Sequence, residues 1–337
     1  MLALILFEAH DLRLESVPTP QPPPKWALIK TIAVGICGTD KAFFTGSYPL
    51  FKKPIILGHE ASGIVIKGSN KLEGKIVVPE INFSCDSCQY CRSGLYTHCP
   101  HRKVLGIDFD GAMAEYFIAP VKALHVVEDL DPIIAVEVEP LAAIINALER
   151  FPPRPCDEIA VIGSGNIAIL TIQLLRSMGF EVTAIVRRDS PKVKYVSKYA
   201  THILTVDEIE QHTNIFREKG FSYIFEVSGD PNAINIAISI ARPRALIHVK
   251  STPGSYGKVN LTPAVVKELR IVGSRCGSFR EFEKAISILR EGVIEPPITN
   301  VVKGLERGVE AFKLAFQRDQ VKVVIKVHDH EVYERHS

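Results

Sequence analysis

The sequence has no long hydrophobic run and no strong charge of either sign. None of its apolar stretches approaches the roughly 18 residues that cross a membrane, and 40 Lys and Arg residues face 38 Asp and Glu residues, a net charge of +2. Neither a membrane nor a nucleic-acid partner is therefore indicated. The first ten residues, MLALILFEAH, have no basic segment before them and no small-residue cleavage site after them. They predict a first strand and not a signal peptide, and we expect a cytoplasmic protein.

Cysteine is sparse except in one segment. Four of the seven cysteines fall between residues 85 and 99, and in a chain without a leader such a group indicates bound metal rather than disulfides. No internal repeat is present, and the charged tail 328–337 is the one biased block. A length of 337 residues suggests two domains, each large enough to bury a core.

The spacing of apolar residues changes along the chain. Up to about residue 125, short apolar runs alternate with Pro, Gly and Asn, which predicts strands and little helix. From 158 to about 274, strands and helices alternate, which implies a parallel sheet covered on both faces. Beyond the first two strands of that region, the predicted strands are His202–Val206, Tyr223–Val227, Ala245–Val249 and Leu269–Gly273, with helices at 191–200, 207–219 and 231–241. The last sixty residues predict helices at 279–291 and 304–317 and a strand Lys322–Val327.

The segment 158–189 reads as strand, glycine turn, helix and second strand. Its turn, Gly163-Ser164-Gly165-Asn166-Ile167-Ala168, fits G-x-G-x-x-G/A. In that motif the first glycine makes the turn, the second lets a pyrophosphate approach the backbone, and the helix N-terminus offers free N–H donors. A plain turn between strand and helix is the alternative. Because both strands and the helix are present, we predict dinucleotide binding by residues 163–167.

A Cys and a His-Glu pair lie about twenty residues apart in the β-rich part. They are Cys37 in GICGTD and His59-Glu60 in LGHE. Sulfur, nitrogen and oxygen ligands of these types bind zinc, and three protein ligands leave a fourth position open for catalysis. Taken singly, Cys37 could equally be a small buried hydrophobe and His59-Glu60 a surface pair.

The spacing C-x2-C-x2-C-x7-C is the most specific signal in the chain. Four thiolates so close together can close a tetrahedron around zinc and leave no position for a substrate, which predicts a structural site. The alternative is a zinc ribbon that binds nucleic acid, but few basic and aromatic residues surround the segment. The four predicted ligands are Cys85, Cys88, Cys91 and Cys99.

Together these motifs resemble the medium-chain zinc-dependent dehydrogenases, the family of alcohol, polyol, glucose and threonine dehydrogenases. GICGTD, LGHE, the four cysteines, Val138-Glu139-Pro140-Leu141 and the glycine turn occur in the order that this family shows. The resemblance covers nearly the whole chain and implies an α/β fold with two units. A GroES-like, β-rich catalytic domain would comprise residues 1–148 and 275–337, with the structural zinc lobe at 85–99. A Rossmann domain with a doubly wound parallel sheet would comprise residues 149–274.

The resemblance also implies roles for individual residues. Cys37 and His59 match catalytic zinc ligands, Glu60 or Glu139 would supply the third contact, and Thr39 matches the hydroxyl that takes the alcohol proton. Lys322 matches a basic residue that some members place near the pyrophosphate. Many members carry a His five residues after the Cys as a proton relay, but this chain has Ala42 there, so the relay must end on ribose hydroxyls or water.

The implied activity is hydride transfer between an alcohol, polyol or sugar and a nicotinamide coenzyme, with one catalytic and one structural zinc per chain. A carbonyl reductase of the same fold and a threonine-type dehydrogenase are alternatives, and a non-catalytic nucleotide-binding homologue is a third. The resemblance implies a homodimer or homotetramer, formed where Rossmann edges such as Ala264–Ile271 pair across a two-fold axis. The expected partner is otherwise a small-molecule substrate.

The end of the second Rossmann strand indicates the coenzyme. An Asp or Glu at this position holds the ribose hydroxyls of NAD, but Val182–Val186 is followed by Arg187 and Arg188. Guanidinium groups offer planar, paired donors to a 2′-phosphate. We therefore predict NADP(H) over NAD(H), with NAD(H) use permitted if Asp189 lies closer than expected. An exposed basic turn before a helix is the alternative.

Overall fold

The computed structural model describes residues 1–211, 216 and 219–329. Its strands are β1 (Leu2–Glu8), β2 (Asp11–Ser16), β3 (Trp26–Gly35), β4 (Ile55–Ile56), β5 (Glu60–Lys67), β6 (Ile76–Pro79), β7 (Asn82–Phe83), β8 (Lys103–Val104), β9 (Tyr116–Pro120), β10 (Leu124–Val126), β11 (Ile159–Ile162), β12 (Val182–Val186), β13 (His202–Thr205), β14 (Phe221–Glu226), β15 (Ala241–Val249), β16 (Arg270–Gly273), β17 (Ile298–Lys303) and β18 (Lys322–Lys326). Its helices are α1 (Gly38–Thr45), α2 (Gln89–Arg92), α3 (Pro132–Ala135), α4 (Val138–Arg150), α5 (Asn166–Ser177), α6 (Val193–Val196), α7 (Val206–Gln211), α8 (Ala233–Ile240), α9 (Thr262–Val266), α10 (Phe279–Arg290) and α11 (Gly308–Ala315).

The β-rich unit is built around β3, a strand of ten residues that is buried along most of its length. The main sheet has the order β10-β6-β5-β3-β18-β17, with β9 also paired to β3. Smaller sheets, β2-β1-β4 and β7-β8, complete the unit. The C-terminal strand β18 runs antiparallel to β3, with Val324 opposite Gly35. The end of the chain is thereby placed beside the residues that follow β3.

The second unit is a six-stranded sheet of order β13-β12-β11-β14-β15-β16 in which every pair is parallel. The order reverses between β11 and β14, and in such sheets ligands bind at this reversal, beyond the carboxyl ends of the strands. Gly163 follows β11 at a φ of +135°, and a Cβ there would lie 3.0 Å from the carbonyl oxygen of Val227. Glycine is therefore required both for the backbone conformation and for the close approach.

One hydrophobic core joins the two units. It contains Ile64 of β5, Leu141 of α4, Leu170 of α5 and Phe282 of α10, all buried. Full burial of each such side chain contributes about 1.5–3 kcal/mol. Because both units contribute side chains to this core, the two units hold a defined relative position.

The strand, turn, helix and strand predicted for 158–189 are confirmed as β11, α5 and β12. The helix predicted at 191–200 is wrong in extent, because the helical part is the single turn α6 and the chain then turns into edge strand β13. α1 was not predicted from the sequence. The helix predicted at 207–219 begins as α7, but 212–215 and 217–218 lie outside the described residues, as does most of the tail 328–337. Within the described part of the chain, no helix has the length and apolar character that a membrane crossing needs.

Candidate active site

Cys37 is held at the N-terminus of α1, directly after β3. Its sulfur accepts a hydrogen bond from the backbone N–H of Thr39 at 3.5 Å, and its own N–H donates to the Asp40 carboxylate at 2.9 Å. The sulfur also accepts from the backbone N–H of Asp40, and this reciprocal pair between Cys37 and Asp40 is a capping box in which a Cys replaces the usual Ser or Thr. The cap fixes the direction of the thiol and begins the helix where the sequence has no strong helical periodicity.

His59 and Glu60 meet Cys37 because their strands are neighbours. β5 begins at Glu60 and pairs with the end of β3, so Glu60 lies opposite Gly35. One ligand atom from each of Cys37, His59 and Glu60 lies within 4.8 Å of the other two. A sulfur, a nitrogen and a carboxylate oxygen are the donors that a catalytic zinc takes from a protein.

The electrostatics of this cluster fit a cation. Burial and then the Glu60 carboxylate raise the pKa of the Cys37 thiol, and burial raises the pKa of Asp40. Burial acts to lower the pKa of His59, but Asp40, Cys37 and Glu60 together raise it well above the usual value. Nδ1 of His59 lies 3.6 Å from Asp40, and neither this nitrogen nor Asp40 Oδ1 has a hydrogen-bond partner among the described residues. Several acids packed out of water therefore surround a point where a divalent ion would stabilise their charged forms.

Lys322 contacts two carboxylates behind the cluster. Its Nζ lies 2.5 Å from Glu60 Oε2 and 3.9 Å from Glu137 Oε1, and all three side chains are buried. Burial acts to lower the pKa of Lys322, while Glu137 and Glu60 raise it overall. Asn166, in the first turn of α5, donates to Glu137 at 2.7 Å. The ammonium of Lys322 is thus paired with carboxylates, and its predicted contact with a pyrophosphate stays a prediction.

Glu139 lies in the first turn of α4 and is half-buried. Burial is the main cause that raises its pKa, while His59 opposes the rise and Glu60 adds to it. It is therefore near the cluster, but its carboxylate is not among the ligand atoms that lie within 4.8 Å of one another. The structure brings Glu60, and not Glu139, together with Cys37 and His59.

Two adjoining cavities open between the units. The first, of about 460 Å³, is lined by residues of both units, among them Cys37, Thr39, Glu60, Gly165, Asn166 and Ile167. We call it the catalytic cleft. The second, of about 610 Å³, is lined by residues that include Gly163, Ser164, Gly165, Arg187 and Arg318. We call it the dinucleotide cleft, and Gly165 belongs to both.

The two predicted arginines differ in their surroundings. Arg187 lines the dinucleotide cleft. Nε of Arg188 pairs with Asp207 at 3.0 Å, and Arg188 is not among the residues that line that cleft. Asp189 pairs with Arg318 at 2.8 Å. Of the two arginines predicted to bind the coenzyme, Arg187 therefore lines the dinucleotide cleft and Arg188 does not.

The four cysteines form a separate cluster in the β-rich unit. The sulfur of Cys88 lies 3.5 Å from that of Cys91 and 3.8 Å from that of Cys99, and Cys99 lies 3.5 Å from Cys85. Tetrahedral zinc with Zn–S bonds of about 2.3 Å places its sulfurs about 3.8 Å apart, so the spacing fits. Hydrogen bonds from Ser87 lower the pKa of Cys85 to about 5, whereas burial and the neighbouring sulfurs raise that of Cys91 to about 12. A bound cation would allow all four sulfurs to be thiolates.

Sequence reasoning identified neither Glu137, Lys192 and Lys250 as residues of the site nor the positioning role of Asp40, which it noted only as a polar group near the zinc. Lys192 and Lys250 are half-buried and line the catalytic cleft, whereas Asp40 is buried beside His59 and Glu137 is buried beside Lys322. The one available signal was for Asp40, since an acid three residues after Cys37 fits a capping box. The others reach the site through strand and helix ends that are distant in the chain.

Comparison with known proteins agrees with this arrangement. Residues 23–129 match the alcohol dehydrogenase GroES-like domain, and residues 167–291 match the zinc-binding dehydrogenase family. A glucose 1-dehydrogenase from Thermoproteus tenax is 32% identical, over 94% of this chain and 96% of its own length. A D-arabitol-phosphate dehydrogenase from Enterococcus avium is 28% identical over 90% of both chains. A zinc-binding dehydrogenase from Sinorhizobium meliloti, solved with NADP bound, has a TM-score of 0.85 at 25% identity and covers 96% of this chain and 98% of its own.

Proposed function

Because this chain belongs to the medium-chain zinc-dependent dehydrogenases, and is therefore an oxidoreductase of CH–OH groups, we propose that it transfers hydride between a polyol or sugar and NADP at the Cys37 cluster. The observation that supports this most is the approach of Cys37, His59 and Glu60 ligand atoms to within 4.8 Å of one another, beside a cleft that the glycine turn also lines. Polyols and sugars are favoured because the names of the similar proteins include glucose and arabitol phosphate.

In this proposal each chain holds two zinc ions with separate roles. Cys37, His59 and Glu60 would hold the catalytic ion, with Glu139 as a further carboxylate that could exchange with Glu60. The four cysteines would hold a structural ion. When bound by Cys37, His59 and Glu60, the catalytic ion would supply a Lewis acid for an alcohol oxygen.

The chain's own residues then position the reacting groups. Asp40 accepts a hydrogen bond from the N–H of Cys37, and its other carboxylate oxygen lies 3.6 Å from Nδ1 of His59. It would therefore orient two ligands at once. Thr39 lines the catalytic cleft, and its hydroxyl would accept the alcohol proton while it gives up its own. Ala42 offers no relay beyond it, so the proton would pass to a ribose hydroxyl or water in the cleft.

The coenzyme preference follows from Arg187. Its place in the dinucleotide cleft, without an acid at the end of β12, supports NADP(H) as the preferred coenzyme and NAD(H) as the weaker one. The two arginines form a matched pair for a test. Arg187→Ala should raise the KM for NADP(H) by about 10- to 100-fold and change that for NAD(H) little, while Arg188→Ala, paired with Asp207, should change both little. Equal effects on both coenzymes would contradict the assignment.

The proposed activity is tested by assay of zinc-loaded protein with polyols, sugars, secondary alcohols and threonine. Reduction of NADP followed at the nicotinamide absorbance, and lost on zinc removal, is the expected result. Fast carbonyl reduction with slow alcohol oxidation at neutral pH would favour the reductase alternative. Tight coenzyme binding without turnover on the whole panel would contradict an enzyme function.

The boundaries 1–148, 149–274 and 275–337, a homodimer or homotetramer, and a cytoplasmic location complete the proposal. Exposed Val265 and Val266 on α9 and Ile271 on edge strand β16 support a protein partner at that edge. A monomer measured by light scattering at micromolar concentration would contradict the oligomer.

A further inference from the structure

Four lysines line the catalytic cleft, which is unusual for a site that would bind a neutral alcohol. They are Lys41, Lys192, Lys250 and Lys322. Because a half-buried ammonium without a counter-ion is costly, each should be matched by an anion of the protein or of a ligand.

One of the four is paired with carboxylates of the protein, and two lie where the proposed coenzyme would supply an anion. Lys322 is paired with Glu60 and Glu137. Lys41 and Lys192 also line the dinucleotide cleft, next to the glycine turn, where the phosphates of a coenzyme are the natural counter-ions. Burial, with the charges of Lys41 and Arg187, lowers the pKa of Lys192 to about 8. This direction is expected where several cations lie close together without a bound anion. These three lysines are therefore accounted for by the proposed function.

Lys250 is the exception, since it lines the catalytic cleft but not the dinucleotide cleft. It follows β15 directly, at the carboxyl edge of the sheet. Its Nζ donates to the carbonyl of Arg275 at 2.9 Å and to the carbonyl and hydroxyl of Ser274 at 3.3 Å each. Within the described part of the chain, no carboxylate lies within 4.0 Å of this nitrogen. Carbonyl dipoles orient the ammonium but do not neutralise it.

Charges of both signs act on Lys250 at longer range. Burial is the largest influence and lowers the pKa of Lys250 to about 8, Cys276 and Glu139 raise it, and Arg275 and Arg150 lower it. An anion bound in the cleft would relieve this unfavourable burial of charge. Hydroxyl groups of Thr45, Ser47, Ser251 and Thr252 belong to residues that line the same cleft.

We infer that the substrate is a polyhydroxylated molecule with one oxyanion group, a carboxylate or a phosphate ester, and that Lys250 binds this group. The inference rests on the proposed dehydrogenase function and specifies its substrate class. One carbinol would be oxidised to a carbonyl, with hydride passing to NADP and one proton released, while the oxyanion group is unchanged. The hydroxyl-bearing walls would bind the rest of the chain.

The test uses matched triplets of candidate substrates, each assayed with the zinc-loaded, full-length protein and NADP. Each triplet contains a neutral polyol, its aldonate and its phosphate ester, with four, five or six carbons. The kcat/KM for an anionic member should exceed that for the neutral member by about 10- to 100-fold, the usual range for a hydrogen bond to a charged group. The aldonate and phosphate arms identify which oxyanion is preferred. Neutral polyols that react as well as both anionic members at every length would overturn the inference and leave the dehydrogenase function standing.

Variants separate substrate binding from support of the Ser274–Arg275 segment. Lys250→Met should lower kcat/KM for the anionic member by about 10- to 100-fold, mainly through KM, and that for the neutral member by less than about threefold. Lys250→Arg should recover part of the loss. Lys258→Met, the same change at an exposed site, is the control. Equal losses for both substrates would mean that Lys250 only supports the segment, and the inference would fail.

A measurement on the unaltered protein covers the cases in which variants do not fold or no triplet reacts. Sulfate, whose own charge is constant over this range, should bind the NADP-loaded protein in calorimetry, with about tenfold weaker binding at pH 9.5 than at pH 7. Lys250 loses its charge as the pH rises through its pKa of about 8, and Lys192, whose pKa is also about 8, would be paired with the coenzyme phosphates in this experiment. No binding, or binding that is equal at both pH values, would overturn the inference. Absence of turnover with every triplet would contradict the proposed function instead.

Discussion

The two cysteine-containing clusters differ in how the chain assembles them. Cys85, Cys88, Cys91 and Cys99 lie within fifteen residues, on α2 and the loops around it, and three of the four are half-exposed. Cys37, His59 and Glu60 come from the ends of two paired strands, and His59 and Glu60 are almost fully buried. A local cluster depends on its metal to define a loop that has little core of its own. The cluster made by paired strands is positioned by the sheet, so it can lose a ligand and keep its fold.

The largest expected effect is on turnover at the strand-built cluster. Cys37→Ser should lower kcat/KM by about 1,000-fold or more, since a Lewis acid contributes several kcal/mol and each 1.36 kcal/mol is a factor of ten. The melting temperature should change little. Steady-state assays and calorimetry on the same preparation check both. Cys156→Ser, which alters an exposed thiol outside both clusters, is the control, and an active Cys37→Ser would remove this residue from the site.

The second effect is on stability at the local cluster. Cys88→Ser should lower the melting temperature by roughly 6–12 °C, because a loss of about 3 kcal/mol shifts the melting temperature by about 2–4 °C per kcal/mol. The kcat of the folded fraction should stay within about threefold of wild type. Differential scanning calorimetry gives the first quantity and active-site titration the second. If Cys88→Ser lowered the kcat of the folded fraction by more than about threefold, the two clusters would not have separate roles.

A third change alters the orientation of the proposed zinc ligands in the strand-built cluster without removing a ligand. Asp40→Asn removes the charge that faces His59 while keeping the side-chain shape, so affinity for the catalytic zinc should fall by about 10- to 100-fold. Competition with a chelator measures it, and Asp129→Asn at an exposed position is the control. Unchanged affinity would show that the capping hydrogen bond to Cys37 alone positions the thiol.

The smallest effect concerns the contact between the zinc lobe and α10. The ring of His125 lies between Glu283, 2.5 Å from Nδ1, and Glu80, 3.3 Å from Nε2, and Tyr96 of the lobe donates to Glu80. Burial acts to lower the pKa of His125, but the two glutamates raise it overall. The stabilisation is therefore fully present below the unfolded-state pKa of about 6.5 and is lost as the pH rises through the higher folded-state value.

His125→Gln should remove this pH dependence and cost about 1–2 kcal/mol at pH 6. Chemical denaturation of wild type and variant between pH 5.5 and 8.5 measures it. A difference between the two proteins that grows as the pH rises has the opposite sign and would contradict the charge assignment.

Much of the fold could be predicted because its signals are local. The β-branched run before Gly163 and the helical spacing after it identify β11 and α5 within one window of sequence. α1 could not be predicted in this way, since it begins on a hydrogen bond to a Cys side chain and is only weakly amphipathic. The extent of α6 depends on where the edge strand β13 begins, which is set by its pairing with β12.

The candidate site was predictable where residue type alone indicates chemistry. Cys37, His59 and Glu60 have the ligand types of zinc, and the family resemblance related them to one another. Glu137 and Lys250 have no such signal. Glu137 meets Lys322 across 185 residues of chain. For Lys250 the relevant feature is the absence of a carboxylate within 4.0 Å of its Nζ among the described residues. Such contacts depend on strand order, which a single sequence does not specify.

The central claim is that the strand-built cluster is catalytic and the local cluster structural. Elemental analysis and activity, measured together while a chelator is added slowly, test it most directly. The account predicts two zinc ions per chain, loss of turnover in parallel with the first ion removed, and retention of the melting transition until the second ion leaves. Full activity in the presence of chelator, with one zinc ion or none per chain, would contradict it.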